Sequence, residues 1–180
     1  VSTSPTLSDG ATLQVHYIDV GQADCMLLEC EGKYMVIDGG NGTSTEFGWM
    51  CKDLAIRDFA LTSEYPFLHT ENAEFDGFRL KGKYSFQYTK NLVFRNCVLD
   101  TKDAFWHAKN VTVSDSTLKG EYLAWYSEGL TLVRCRIEGT QPLCYCKGLK
   151  LIDCEFTDAD LSFEKSEVEA TLTTPVVSVK

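Results

Sequence analysis

Histidine is scarce in this chain. His16, His69 and His107 are the only three in 180 residues, and no two lie within four positions of each other. A zinc hydrolase needs histidines and an aspartate closely spaced, as in H-x-H-x-D-H, because they must converge on metals that activate water. That chemistry is excluded on spacing alone, and no cofactor motif stands in its place. Positive charge is short as well: 17 Lys and Arg face 26 Asp and Glu, a formal net charge of −9. Such a field repels phosphates and anionic lipid surfaces, so neither a nucleic acid nor a membrane is an expected partner. No apolar run approaches the roughly 18 residues of a membrane-spanning helix. The opening VSTSPTLSDG has neither the basic nor the apolar region of a signal peptide, which makes the cytoplasm the expected location.

Cysteine, by contrast, is plentiful, with eight in the chain. Small secreted domains use that many to staple an inadequate core. Here 44% of the residues are apolar, enough for a core without staples, so buried thiols are expected.

The reason for the cysteines emerges from a repeat. Shifted by 19 residues, the chain aligns with itself over six consecutive units, from DLAIRDFALTSEYPFLHTE at 53–71 to GLKLIDCEFTDADLSFEKS at 148–166. The second column reads Leu54, Ala73, Leu92, Val111, Leu130, Leu149, and the fourth Ile56, Phe75, Phe94, Val113, Leu132, Leu151. An apolar period of two inside each unit means strand rather than helix. Turn dipeptides for regular hairpins are few, so the strands must stack on their own copies in the next unit. The predicted fold is all-β, a right-handed parallel β-helix of about six coils, with like side chains piled at about 4.8 Å.

In this frame Cys135 shares the seventh column with Phe59, Phe78, Cys97, Ser116 and Cys154, and Cys144 shares the sixteenth with Leu68, Gln87, Trp106, Trp125 and Phe163. Both columns read as inward packing. Stacked neighbours also lie within disulfide reach, which leaves a Cys135–Cys154 bridge as the alternative to free thiols.

Two resemblances follow from quoted stretches. KGKYSFQYTKN, TKDAFWHAKNVTVSDS, GEYLAWYSEGLTL, GTQPLCYCKGL and DLSFEKSEVEA resemble a family of bacterial hypothetical proteins, a domain of unknown function, from about residue 50 to the end. That resemblance implies the right-handed β-helix and no catalytic residues. Residues 11–40 do not follow the repeat. They read as three short strands with a turn at Glu31-Gly32-Lys33 and a stop at Gly39-Gly40. Ile18-Asp19-Val20-Gly21-Gln22-Ala23-Asp24 and Ile37-Asp38-Gly39-Gly40 resemble the first strands of competence-protein-type metallo-β-lactamase hydrolases, without the zinc motif. Asp19, Asp24 and Asp38 are then expected in loops and turns. The implied organisation is a β segment over 1–50, capping the solenoid as a hairpin, and a β-helix over 51–180.

Function is expected on an outward column. The seventeenth, His69, Tyr88, His107, Tyr126, Tyr145 and Glu164, gives every rung a polar tip and five of them rings, a candidate ligand-binding stripe. Asp103 and Glu121 form a candidate acidic site of the kind polysaccharide-cleaving enzymes use. The primary expectation is a non-catalytic binding or structural scaffold with a carbohydrate or protein partner. A carbohydrate-active enzyme using the acids is the alternative, and a metallohydrolase remnant the third. The open solenoid ends also point to self-association.

Overall fold

The structure, a computed structural model, describes residues 12–19, 24–30 and 32–180. It is an all-β parallel solenoid of about seven turns. Among the described residues, fourteen strands make one continuous wrapped sheet. An antiparallel hairpin opens it, β1 (Gln14–Asp19) and β2 (Asp24–Cys30), followed by β3 (Lys33–Phe47) and β4 (Leu54–Pro66). One side continues through β5 (Glu71–Asp76), β7 (Lys90–Arg95), β9 (Lys109–Ser114) and β11 (Thr131–Val133). The other side holds β6 (Arg79–Lys83), β8 (Val98–Lys102), β10 (Thr117–Lys119) and β12 (Arg136–Glu138). Both sides meet in β13 (Leu149–Thr157), and β14 (Val168–Leu172) pairs along part of it.

Between the fourth and sixth coils the register keeps the 19-residue step, with Val113 opposite Leu132 and Leu132 opposite Leu151. The apolar columns face inward as their spacing requires. The second, fourth, seventh and ninth columns are buried in every unit from 53 onward, Ser116 included. A third side has no strands, yet it continues the ladder. Tyr84 N–H donates to the Lys102 carbonyl at 2.7 Å, Phe86 to Pro66 at 2.9 Å and Tyr88 to Trp106 at 2.8 Å, alternating between the coils above and below. The alternation works because Tyr84, Phe86 and Tyr88 all adopt φ near +55 to +57°. Left-handed conformations are costly for side-chain-bearing residues, so the inter-coil bonds and the buried Phe86 ring must hold them in place.

The corner at the start of β5, β7 and β9 is also left-handed, with φ of 54, 55 and 53° at Asn72, Asn91 and Asn110. Asparagine tolerates that conformation, and its amide adds a ladder: Asn91 donates to Asn72 at 2.9 Å and Asn110 to Asn91 at 3.3 Å. Gly129 and Gly148 continue the corner in the next two coils.

Two expectations about the chain ends are corrected. β3 does not stop at Gly39-Gly40; it runs to Phe47 and pairs in parallel with β4, from Tyr34 opposite Leu54 to Phe47 opposite Pro66. Residues 34–52 are therefore a coil in their own right. Its period is hidden by an extra residue, because the offset is 20 at Ile37–Arg57 and 19 at Gly40–Phe59. Asp19, Asp24 and Asp38 lie within the spans of β1, β2 and β3 rather than in loops. Val20–Ala23 and Glu31, which carried part of the resemblance and of the expected turn, lie outside the described residues. At the other end the last coil also has an extra residue. Left-handed Gln141, Leu143 and Tyr145 are followed one coil later by left-handed Leu161, Phe163 and Lys165, an offset of 20.

Candidate functional site

The third side carries a row of outward-facing aromatic residues. Its rings form an unbroken ladder in the seventeenth column: His69 to Tyr88 at 5.3 Å, Tyr88 to His107 at 5.0 Å, His107 to Tyr126 at 5.1 Å and Tyr126 to Tyr145 at 4.8 Å. The planes lie within 26° of parallel throughout. Tyr88 and Tyr126 remain 48% and 44% exposed. The structure thus brings five of the six stripe residues into one row. Glu164 is not the sixth rung, because the extra residue of the last coil gives Lys165 the corresponding left-handed position. Glu164 instead ends the row from the side: it interacts with the Tyr145 hydroxyl and pairs with Lys180 at 3.0 Å. The Lys180 ammonium holds its carboxyl below the ordinary range.

Column sixteen, expected to pack inward, divides. Cys144 is fully buried, but Trp106 and Trp125 are half-exposed and stack at 5.5 Å with planes 4° apart. Trp106 Nε1 donates to the Tyr122 carbonyl at 2.9 Å and Trp125 Nε1 to the Gln141 carbonyl at 2.8 Å. Each indole bridges to the next coil, so the tryptophans are fixed as part of the outer face. Phe163, shifted by the extra residue, packs against Phe156 at 5.5 Å at the core margin. Beside the rings runs a charge row in which Lys52 and Lys90 flank Glu71 at 3.3 and 3.6 Å and Lys109 pairs with Glu128 at 3.0 Å. Exposed pairs of this kind add little stability, and they leave the face with mixed sign.

Ring stacking decides which parts of the rings this face exposes. A sugar stacks on an exposed aromatic face, whereas each face inside the ladder is covered by the neighbouring ring. What the stripe presents is ring edges, tyrosine hydroxyls and imidazole nitrogens. The row is present, and its inner ring faces are covered.

The acidic site is less concerted. Asp103 is 5% exposed, in a column where Tyr84 lies one coil before it and Tyr122 one coil after. Burial pushes its carboxyl up, Lys102 opposes this and Glu121 adds to it. Its carboxylate accepts no hydrogen bond from the described residues. Glu121, however, is committed to Lys102 at 3.0 Å, and that ammonium also lies 5.2 Å from the centre of the Tyr122 ring.

Five of the cysteines are packing residues. The seven whose side chains are described carry free thiols, and Cys97, Cys135, Cys144, Cys146 and Cys154 are buried. Their sulfurs donate to backbone carbonyls, Cys135 to Val113 at 3.4 Å and Cys146 to Ala124 at 3.2 Å. Burial pushes the Cys97 thiol up to about 11. The Cys135 thiol is raised as well, by its interaction with the neighbouring Cys154 thiol and by burial.

Comparison with known proteins gives a family and a structural match. The family described as "Protein of unknown function (DUF3737)" matches residues 22–180. No curated protein matches the chain. A solved structure of QnrB1, described as a plasmid-mediated fluoroquinolone resistance protein, is similar at 10% identity and a TM-score of 0.26, covering 74% of this chain and 92% of its own. The resemblance of the N-terminal stretch to metallo-β-lactamase-type hydrolases gains no support. The family match begins inside that stretch, and its Ile37–Gly40 segment is part of a solenoid strand.

Proposed function

We propose that this chain, which belongs to the DUF3737 family of proteins of unknown function, is a non-catalytic solenoid scaffold that binds a partner through its aromatic side. The observation that supports this reading is the five-ring ladder, an exposed row of edges and polar tips backed by a rigid hydrogen-bonded wall. Tyrosine and tryptophan supply contact area at low conformational cost, and both are enriched where proteins meet. Occluded ring faces favour a protein partner over a carbohydrate. An extended segment lying along the ladder would meet a hydroxyl or ring nitrogen at each coil.

The test is selection of peptides from a displayed library against the whole chain, with a glycan array run in parallel. A peptide whose affinity falls at least tenfold in Tyr88→Ala/Tyr126→Ala, and is unchanged in a Lys150→Ala control on a strand face, is the expected result. Glycan binding lost in the same variant would replace the partner class. Binding that survives the double variant would remove the ladder from the function.

A second reading rests on Asp103. A buried carboxyl with a raised pKa near a second carboxylate is how a general acid is prepared for glycoside chemistry. Cleavage of a polysaccharide that disappears in Asp103→Asn would establish it. The commitment of Glu121 to Lys102 makes it the weaker reading.

A further inference from the structure

The two ends of the solenoid are built differently. At the C-terminal end, β14 and the residues after it lie over the last full coil, with Thr173 N–H donating to Cys154 at 2.9 Å and Lys180 N–H to Ser162 at 3.1 Å. The N-terminal end is stepped. β2 pairs with β3 only over Lys33–Ile37, so the hairpin rises two strand spacings, about 9.6 Å, above half of the first coil. Over the other half, Gly40–Phe47 pairs with β4 on one side, and among the described residues nothing pairs with its outer edge. β1 likewise pairs with β2 alone among the described residues, so no described strand lies on its outer edge.

Two further observations fall at this same end. The coil opens into an apolar cavity of about 560 Å³, lined among others by Leu27, Val36, Phe47, Met50 and Cys51. Four exposed large apolar residues cluster there too: Leu13, Val15, Tyr34 and Met50, the last 68% exposed. Natural sheet edges are usually blunted by lysine, proline or an inward charge. The free edge reads GNGTSTEF, in which the only charge is Glu46.

We propose that the N-terminal end is an interface with a second copy of this chain, joined head to head about a twofold axis. The step is self-complementary. Six residues of β1 can run beside the eight residues Gly40–Phe47 of the other copy, and the twofold repeats that contact on the opposite side. Each hairpin then fills the step of the other copy, three strand spacings separate the two first coils on both sides, and both apolar mouths are covered. A peptide strand alone would satisfy one edge and leave β1 free; a second copy satisfies both.

The experiment is light scattering of the full chain during size exclusion, over a wide range of concentration. A mass twice the 20.2 kDa of the chain is expected. Val15→Lys and Thr43→Glu, both exposed edge positions, should each give monomers with an unchanged circular dichroism spectrum. Mixed together they should recover the dimer, because one seam is then unaltered and the other pairs opposite charges. A monomeric wild-type chain would overturn the proposal. So would a dimer that persists in both single variants, a mixture that stays monomeric, or assemblies larger than a dimer, which mean open head-to-tail stacking.

Discussion

The first coils and the last coils share one cross-section but fill it with different chemistry. Up to the coil of Phe105 the interior is a stack of phenylalanines. Phe67, Phe86 and Phe105 lie ring on ring at 5.2 and 5.1 Å, and Phe75 and Phe94 at 4.5 Å. Beyond it the same positions hold Ala124 and Leu143, and the seventh column, Phe59 and Phe78 in earlier coils, has already turned to Cys97 in that coil and continues as Ser116, Cys135 and Cys154. Volume is recovered from the neighbouring column, where buried Leu123 stands one coil after Ala104 and two after Ser85. The lesson is that stacking fixes the backbone and the period, while filling is negotiated between adjacent columns. Thiols suit the half without phenylalanine stacks because they are small, apolar and able to donate weakly to the carbonyls around them.

Exchange of fillings tests this directly. Phe86→Ala removes a ring stacked on both sides and should cost about 3–5 kcal/mol in denaturant unfolding, the largest loss of any single truncation here. A cost near 1 kcal/mol would mean that the aromatic half collapses around the gap, and the contrast between halves would dissolve.

Alkaline pH should act on the thiol half. The Cys97 thiol is raised to about 11 by burial in the folded chain, whereas an unfolded thiol ionises near 9. Its stabilising contribution is therefore complete below about pH 9 and is lost as pH climbs through 11, a loss of about 2–3 kcal/mol from this group. The unfolding midpoint measured between pH 8 and 11 should fall less in Cys97→Ala than in the wild type; an equal fall would assign the effect elsewhere.

Ala124→Phe puts the aromatic filling into the other half. The backbone permits it, since Phe86 already sits at φ 57° and Ala124 at 60°, so only space is at issue. Overpacking against Leu123 should cost about 1–3 kcal/mol, and Leu123→Ala in the same chain should recover part of it. The smallest effect is expected at Ser162, whose buried hydroxyl has no partner among the described residues. Ser162→Ala should leave the midpoint unchanged or raise it by up to about 1 kcal/mol.

Much of this was legible because a stacked strand repeats its requirements. Leu92 under Val111 and Leu99 under Leu118 face the same interior, so the columns read directly as a parallel solenoid. The first coil was not legible because its core is borrowed. At Gly42 a Cβ would lie 2.8 Å from the Phe59 ring, and at Gly48 2.6 Å from Phe67. Glycine stands where the period calls for an apolar residue because the phenylalanine of the next coil already fills the space. The stripe was legible as a row of polar-tipped rings, but parallel stacking, which hides their faces, is a property of side-chain angles that no column of letters contains. Glu164 was misplaced for a simpler reason: one residue added near Asp158 to Asp160 shifts everything after it in space and leaves no mark on an ungapped alignment.

Sequence by itself determined the period, the inward columns, the strand class and the use of cysteine as filling, because each is a local demand repeated at every coil. Tertiary structure alone decided where the solenoid begins, which ring faces remain open, that Asp103 is buried while Glu121 is held by Lys102, and that one end is closed and the other stepped. Those depend on which coil lies above or below, and a side chain's exposure is set by that neighbour rather than by its own identity.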